Sequence, residues 1–204
     1  SSSLGDGLLK HNRAYLRFID EIEKEYPTLT IENCASGGCR MDEETLKRFP
    51  IQSTSDQTNC HKYPYLSAAV LSACPPEQAA VWCYPVDTFV DPKEITEERV
   101  VLNVVNAMLG RIHLASDIAK LTPQEKTLLK EGMDYYKKTR SFKRNALPIY
   151  PKGISHFFAP EVVGGLREGK NILLAVWNTS AKARTVRVSL KKYRVHSLRV
   201  AYPS

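Results

Sequence analysis

The sequence predicts an α/β fold: strand–helix units of a parallel sheet or barrel, followed by a separate antiparallel β segment. Three observations predict it. Short apolar strands alternate with single helices over residues 1–142, and polar residues gather directly after each strand. Beyond residue 143 the helical period gives way to short alternating runs separated by Gly, Asn and Lys. With 204 residues, 43% hydrophobic and 25% charged, the chain can bury a substantial core and has the composition of a folded protein.

The elements follow in order. Leu8, Leu9, Tyr15, Leu16, Ile19 and Ile22 recur at helical spacing, which predicts an amphipathic helix over 7–26 that stops before Pro27. Leu29-Thr30-Ile31 reads as a first strand, 42–48 as a short helix and Ile51-Gln52-Ser53 as a second strand. A helix over 62–74 leads to a third strand, Ala79–Cys83. Residues Glu94 to Leu109 read as helical, and Arg111–Leu114 as a fourth strand. Thr122 as cap and Pro123 in the first turn start a long helix reaching about Arg140. Ile172–Val176, Thr185–Val188 and Leu198–Val200 are the expected strands of the last segment.

Charge divides at the same place. Residues 143–204 hold 12 Lys and Arg against Glu161 and Glu168, and residues 1–142 hold 17 basic and 20 acidic side chains, so the formal +7 splits into −3 and +10. The basic residues alternate with apolar ones, as in Ala183–Val188, which is the pattern of a solvated strand face and argues against nucleic acid as the partner. Five cysteines (Cys34, Cys39, Cys60, Cys74, Cys83) match no disulfide framework or zinc spacing, so free thiols in a reducing, cytoplasmic compartment are expected. No apolar run is long enough for a membrane span and no signal peptide opens the chain; both ends read as cut, with the native N-terminus elsewhere.

Polar residues at the C-terminal ends of parallel strands are where such folds place active sites. Two clusters qualify. Glu32–Asp42 packs acids, Arg40, Cys34, Cys39 and the pair Gly37-Gly38 behind a strand; Gln52–Asn59 sets Asp56 among small hydrogen-bonding side chains. On the residues alone, Gly37-Gly38 also fits an ordinary turn and Asp56 a helix cap. A thiol hydrolase lacks its Gly-x-Cys-x-Gly elbow, and a P-loop its Gly-Lys-Ser/Thr ending.

Both clusters, in order and spacing, resemble one family. Cys34-Ala35-Ser36-Gly37-Gly38-Cys39-Arg40 resembles the Cys-x-x-Gly-x-x-Arg signature of glycoside hydrolase family 36, the α-galactosidases and raffinose-type enzymes, and Ser55-Asp56-Gln57-Thr58 resembles its Ser-Asp-x-Thr-Asp motif. Trp82-Cys83-Tyr84-Pro85 and Arg111-Ile112-His113 lend weaker support. The resemblance implies the C-terminal half of a (β/α)8 TIM barrel over residues 1–142, strands five to eight, followed over 143–204 by a truncated antiparallel β-sandwich domain. It further implies a retaining hydrolase of terminal α-galactosides in which Asp56 is the general acid/base, with a nucleophilic aspartate expected on a strand before residue 1, so that the chain alone is inactive.

On the same resemblance Cys34, Gly37 and Arg40 line the sugar site, although Cys34 also fits a plain buried thiol; on the residues themselves Trp82 fits either a platform for a sugar face or a barrel-core aromatic, and His113 a packing or hydrogen-bonding residue. The partner implied is an α-galactoside oligosaccharide; no cofactor, metal or membrane is implied, and the parent protein is a candidate homo-oligomer. A retaining mechanism needs two carboxylates about 5–5.5 Å apart, one attacking the anomeric carbon while the other donates and then accepts a proton. The acid must be held protonated near neutrality, by desolvation or by the neighbouring anion. Two residues depart from the family pattern: Asn59 stands where a second Asp is usual, and Cys39 replaces a Gly or hydrophobic residue. They keep a divergent or non-catalytic carbohydrate-binding relative in view. A half barrel also exposes sheet edges, which predicts self-association of the isolated chain.

Overall fold

The computed structural model describes residues 3–86 and 95–204. Helix α1 (Asp6–Glu25) ends at Tyr26, directly before Pro27, and buries Ile19 while Leu8, Leu9 and Phe18 stay exposed. The first strand, β1, is Glu32–Asn33, not Leu29–Ile31. A polar contact sets it: the buried Asn33 amide donates to Gln52 Oε1 at 2.6 Å and to the Arg40 carbonyl at 2.8 Å, whereas Leu29 is left exposed. Apolar content alone pointed three residues too early.

Helix α2 (Glu43–Arg48) carries a reciprocal cap between Asp42 and Thr45, and β2 is Ile51–Ser53. Helix α3 (Tyr63–Ala69) runs on into a 3-10 turn, Val70–Ser72, before β3 (Ala79–Cys83). Helix α4 is Glu97–Met108, capped by Thr96; the expected start at Glu94 lies outside the described residues. Strand β4 (Arg111–Leu114) and helix α5 (Pro123–Asn145) follow, the latter with the Thr122–Glu125 capping box and Pro123 in its first turn. It extends past the expected end, through the 142/143 boundary.

The four strands pair in parallel and in chain order, β1-β2-β3-β4, with one βα connection after another, which is the topology of half a (β/α)8 barrel. Among the described residues, strands β1 and β4 each pair on one side only. Alternation along β3 divides the sheet faces: Val81 and Cys83 join Val100, Val104 and Leu109 in the core, while Trp82, between them, is only partly buried. Gly110 lets β4 start close to β3, since an added Cβ would stand 2.6 Å from the Ala79 carbonyl oxygen.

A three-stranded antiparallel sheet follows: β5 (Leu147–Ile149), β6 (Glu161–Glu168) and β7 (Asn171–Asn178). Its hairpin turns through Gly169, in the left-handed region at φ 57°, and Lys170. Strand β7 contains the expected 172–176 run. Strand β6 was not foreseen, because Gly164-Gly165 interrupts its alternation; the structure uses both glycines for close approach, Gly164 to Ala68 on α3 and Gly165 to the Leu173 carbonyl. The expected strands at 185–188 and 198–200 do not form; Leu198 and Val200 are exposed, with no neighbouring strand to bury them. Val162, Leu166 and Trp177 share one continuous core with Leu109 and Val104.

Candidate active site

The loops after β1 and β2 meet. In the first, Gly37 and Gly38 adopt φ of 66° and 93°, a left-handed pair that turns the chain back over β2. Gly37 lies directly on the second loop: a Cβ there would fall on Ser55 Cα, 2.5 Å from the Asp56 nitrogen and 2.6 Å from the Ser55 carbonyl carbon. Gly38 sits similarly against the Thr54 carbonyl oxygen, at 3.1 Å from such a Cβ. The two motifs are therefore in backbone contact, and only glycine permits it.

The Asp56 loop is held on its other side as well. Thr54 donates through both its N–H and its hydroxyl to the Ala80 carbonyl, at 3.2 and 2.7 Å, and the Ser55 hydroxyl accepts from Gln57 N–H at 3.1 Å. Asn59 Oδ1 accepts the His61 N–H at 2.9 Å. An aspartate there would accept the same bond, so the departure at 59 removes a charge without removing the turn. Asp56 itself is exposed, and its carboxylate takes no hydrogen bond or ion pair among the described residues.

Trp82 forms a rung across three strands. Its indole N–H donates to Ser53 Oγ at 3.4 Å, its ring stacks on Tyr84 at 6.0 Å, and His113 meets it edge-on at 5.3 Å. His113 Nδ1 lies 3.8 Å from Glu32 Oε1. Burial holds the imidazole below its ordinary pKa, more than Glu32 raises it, with Arg111 adding to the lowering. At neutral pH the pair is thus a neutral ring beside a carboxylate, not a salt bridge.

Of the residues singled out from sequence, Gly37, Asp56 and Trp82 are brought to one end of the sheet. Cys34 is exposed on the loop leaving β1. Arg40 goes elsewhere: its guanidinium lies over the Tyr15 ring of α1, 5.5 Å from the centroid, while its carbonyl accepts from Asn33. Sequence reasoning passed over Tyr63, whose buried hydroxyl reaches Ser55 and Trp82; Gln52, already placed in the second cluster, pairs with Asn33. An aromatic one helical start beyond Asp56 was the only visible signal for Tyr63. Two surface hollows, about 320 Å³ near Arg194 and about 460 Å³ near Met41 and Gln78, are lined by none of the expected site residues. Among the described residues no His, Cys, Asp and Glu cluster could hold a metal ion, and no helix is long and apolar enough to cross a membrane. Cys34 and Cys39 are exposed, and Cys60, Cys74 and Cys83 are buried.

Known proteins share this fold. The galactosidase domain of an α-galactosidase–sucrose kinase, AgaSK, superposes on 90% of this chain with a TM-score of 0.69 at 22% identity, the match covering 25% of that chain. A variant of α-galactosidase AgaA from Geobacillus stearothermophilus, solved with raffinose, matches 83% with a TM-score of 0.67 at 23% identity, covering 23% of its chain. In sequence, AgaA is 33% identical over 129 residues, 61% of this chain and 17% of its own length. The chain thus spans a quarter or less of these relatives. The Melibiase family model matches residues 10–145, from α1 to the last residue of α5 and through both motif loops, and the chain belongs to the melibiase family.

Proposed function

We propose that this chain supplies the acid/base side of the active site of a retaining glycoside hydrolase that cleaves terminal α-galactosides. The observation that carries the reading is the backbone contact of Gly37 with Ser55–Asp56. It fixes an open carboxylate beside the loop bearing Cys34, at the strand ends where this fold does its chemistry. Solved relatives hold raffinose and stachyose, which supports α-galactoside oligosaccharides as the substrate class.

In the first step the Asp56 carboxyl donates its proton to the glycosidic oxygen as a second carboxylate bonds to the anomeric carbon and the leaving group departs as an alcohol. In the second, Asp56 takes a proton from water as that water displaces the enzyme carboxylate. The nucleophile is assigned to a strand beyond the open edge of β1. Cys34 and the backbone of the Gly37 loop meet sugar hydroxyls, Trp82 offers its face, and Arg40 braces the loop through Tyr15.

The test is hydrolysis in the protein that carries this chain. Asp56→Asn should lower kcat/KM by about 10²–10⁴-fold on sugar leaving groups and far less on dinitrophenyl α-galactoside, which departs without protonation. Equal loss on both substrates would remove Asp56 from the acid/base role. A parent that binds galactose but turns over no α-galactoside would instead favour a non-catalytic carbohydrate-binding protein.

A further inference from the structure

We propose that Tyr63 is a positioning residue for this active site, its phenol pinning the Asp56 loop to β3. The inference rests on the reading of Asp56 as acid/base. Tyr63 opens α3, is 2% exposed, and makes two hydrogen bonds through one oxygen. It donates to the Ser55 carbonyl at 3.3 Å and accepts the Trp82 N–H at 3.3 Å. One side chain therefore joins the peptide immediately before the acid/base to the backbone of the residue offered as the sugar platform.

The ladder between β2 and β3 explains why this is needed. Ser53 pairs with Ala80, and Thr54 N–H still reaches the Ala80 carbonyl. In a regular parallel ladder the next N–H on that side, that of Trp82, would go to the Thr54 carbonyl. Strand β2 has already ended, because the Thr54 carbonyl has turned to face Gly38. The Tyr63 oxygen occupies the vacated place in the ladder, so the loop can leave β3 without orphaning the Trp82 amide. Burial pushes the phenol up to about 12, which keeps the proton it donates to Ser55.

The whole unit is then wedged between two supports. Gly37 closes on Ser55–Asp56 from the β1 side, and Tyr63 holds the same peptide from below. A buried donor–acceptor that bridges two strand ends fixes the loop with fewer soft torsions than side-chain packing alone, and about 1 Å of misplacement at a reacting group costs on the order of 10²-fold in rate.

Tyr63→Phe removes one oxygen and keeps the ring. In the protein carrying this chain, kcat/KM should fall about tenfold or more on α-galactosides with sugar leaving groups, and by less than about threefold on dinitrophenyl α-galactoside, with Asp56→Asn run alongside. A loss equal on both substrates, or none on either, overturns the proposal. Amide hydrogen exchange separates it from the parent reading. In this chain the variant should speed exchange at Trp82 and Asp56–Gln57 while α4 and α5 stay as protected as before; unchanged exchange at Trp82 overturns the pin even if the parent is an α-galactosidase. If the parent cleaves no α-galactoside, the acid/base reading falls, and faster exchange confined to those amides still supports the pin.

Discussion

Gly37→Ala is the sharpest perturbation of the candidate site. The new methyl would meet the Asp56 nitrogen at 2.5 Å, where ordinary contact begins at about 3.4 Å, so the Ser55–Asp56 peptide must retreat by roughly 1 Å or the Gly37 loop must lift. The atoms it meets are all backbone, which no side-chain rotation relieves. The left-handed φ of 66° adds about 1–2 kcal/mol for any residue with a Cβ. We expect a loss of about 2–4 kcal/mol in stability. We expect an effect of similar size on chemistry, about 10²-fold in kcat/KM, because the carboxylate moves with its peptide. Gly169→Ala is the control: φ is 57° but nothing lies within 4 Å of the added carbon, so it should cost about 1 kcal/mol and leave activity within about twofold. Urea melts and initial rates on an α-galactoside, measured on both variants in the protein carrying this chain, decide the matter. Retention of activity by Gly37→Ala within about threefold, or an equal loss in Gly169→Ala, would refute the contact as the element that sets Asp56.

Lys143 predicts a pH dependence of stability. Lys143 is 2% exposed, its ammonium donates to the Gly110 carbonyl at 3.1 Å and lies 4.2 Å over the Tyr136 ring, and burial lowers its pKa from 10.5 to about 7. The unfolded chain therefore binds the extra proton between pH 7 and 10.5, and stability should rise with pH from 7 upward, by about 1–3 kcal/mol at pH 9 once the ring and carbonyl offset part of the burial. Cys74, Cys83 and Tyr63, each pushed up to about 12 by burial, act oppositely: the folded state keeps protons the unfolded chain loses, so stability falls above about pH 9. His113, held below its ordinary pKa by burial, adds to the rise only at the acid side of this window. Lys143→Met should abolish the rising limb in denaturant melts, and parallel curves for the two proteins from pH 7 to 9 would show that the ammonium is not the cause. In native thiol labelling, Cys34 and Cys39 should react while Cys60, Cys74 and Cys83 wait for denaturant, and galactose should slow Cys34 more than Cys39; no protection of Cys34 would take it out of the sugar site.

The fold was legible where local signals agree with tertiary ones. The cap at Thr122, Pro123 in the first turn and apolar strands between single helices all point the same way, and the structure follows them. The errors fall where a strand is defined by its neighbour. Strand β1 is positioned by the Asn33–Gln52 contact, β6 carries two glycines because α3 and β7 approach closely, and β5 contains Pro148, which an edge strand tolerates. The runs at 185–188 and 198–200 fail in the opposite sense: alternation supplies a face to bury, but without a paired strand it buries nothing.

The site divides along the same line. Asp56, Gly37 and Trp82 were legible as residue types, because an acid in a polar loop, a glycine pair and an aromatic after a strand each carry a chemical signature that survives without coordinates. What joins them is not written in any one segment. Gly37 and Asp56 are 19 positions apart, and the reason for the glycine is the Asp56 peptide, not the turn it sits in. Tyr63 looks from sequence like one more helix aromatic, and only the end of the β2–β3 ladder gives its hydroxyl a task. Arg40 shows the converse: it completes a recognisable motif, yet its charge is spent on the Tyr15 face. A motif therefore marks where a loop must keep its shape, and which of its members touch substrate is decided by what else the loop has to hold.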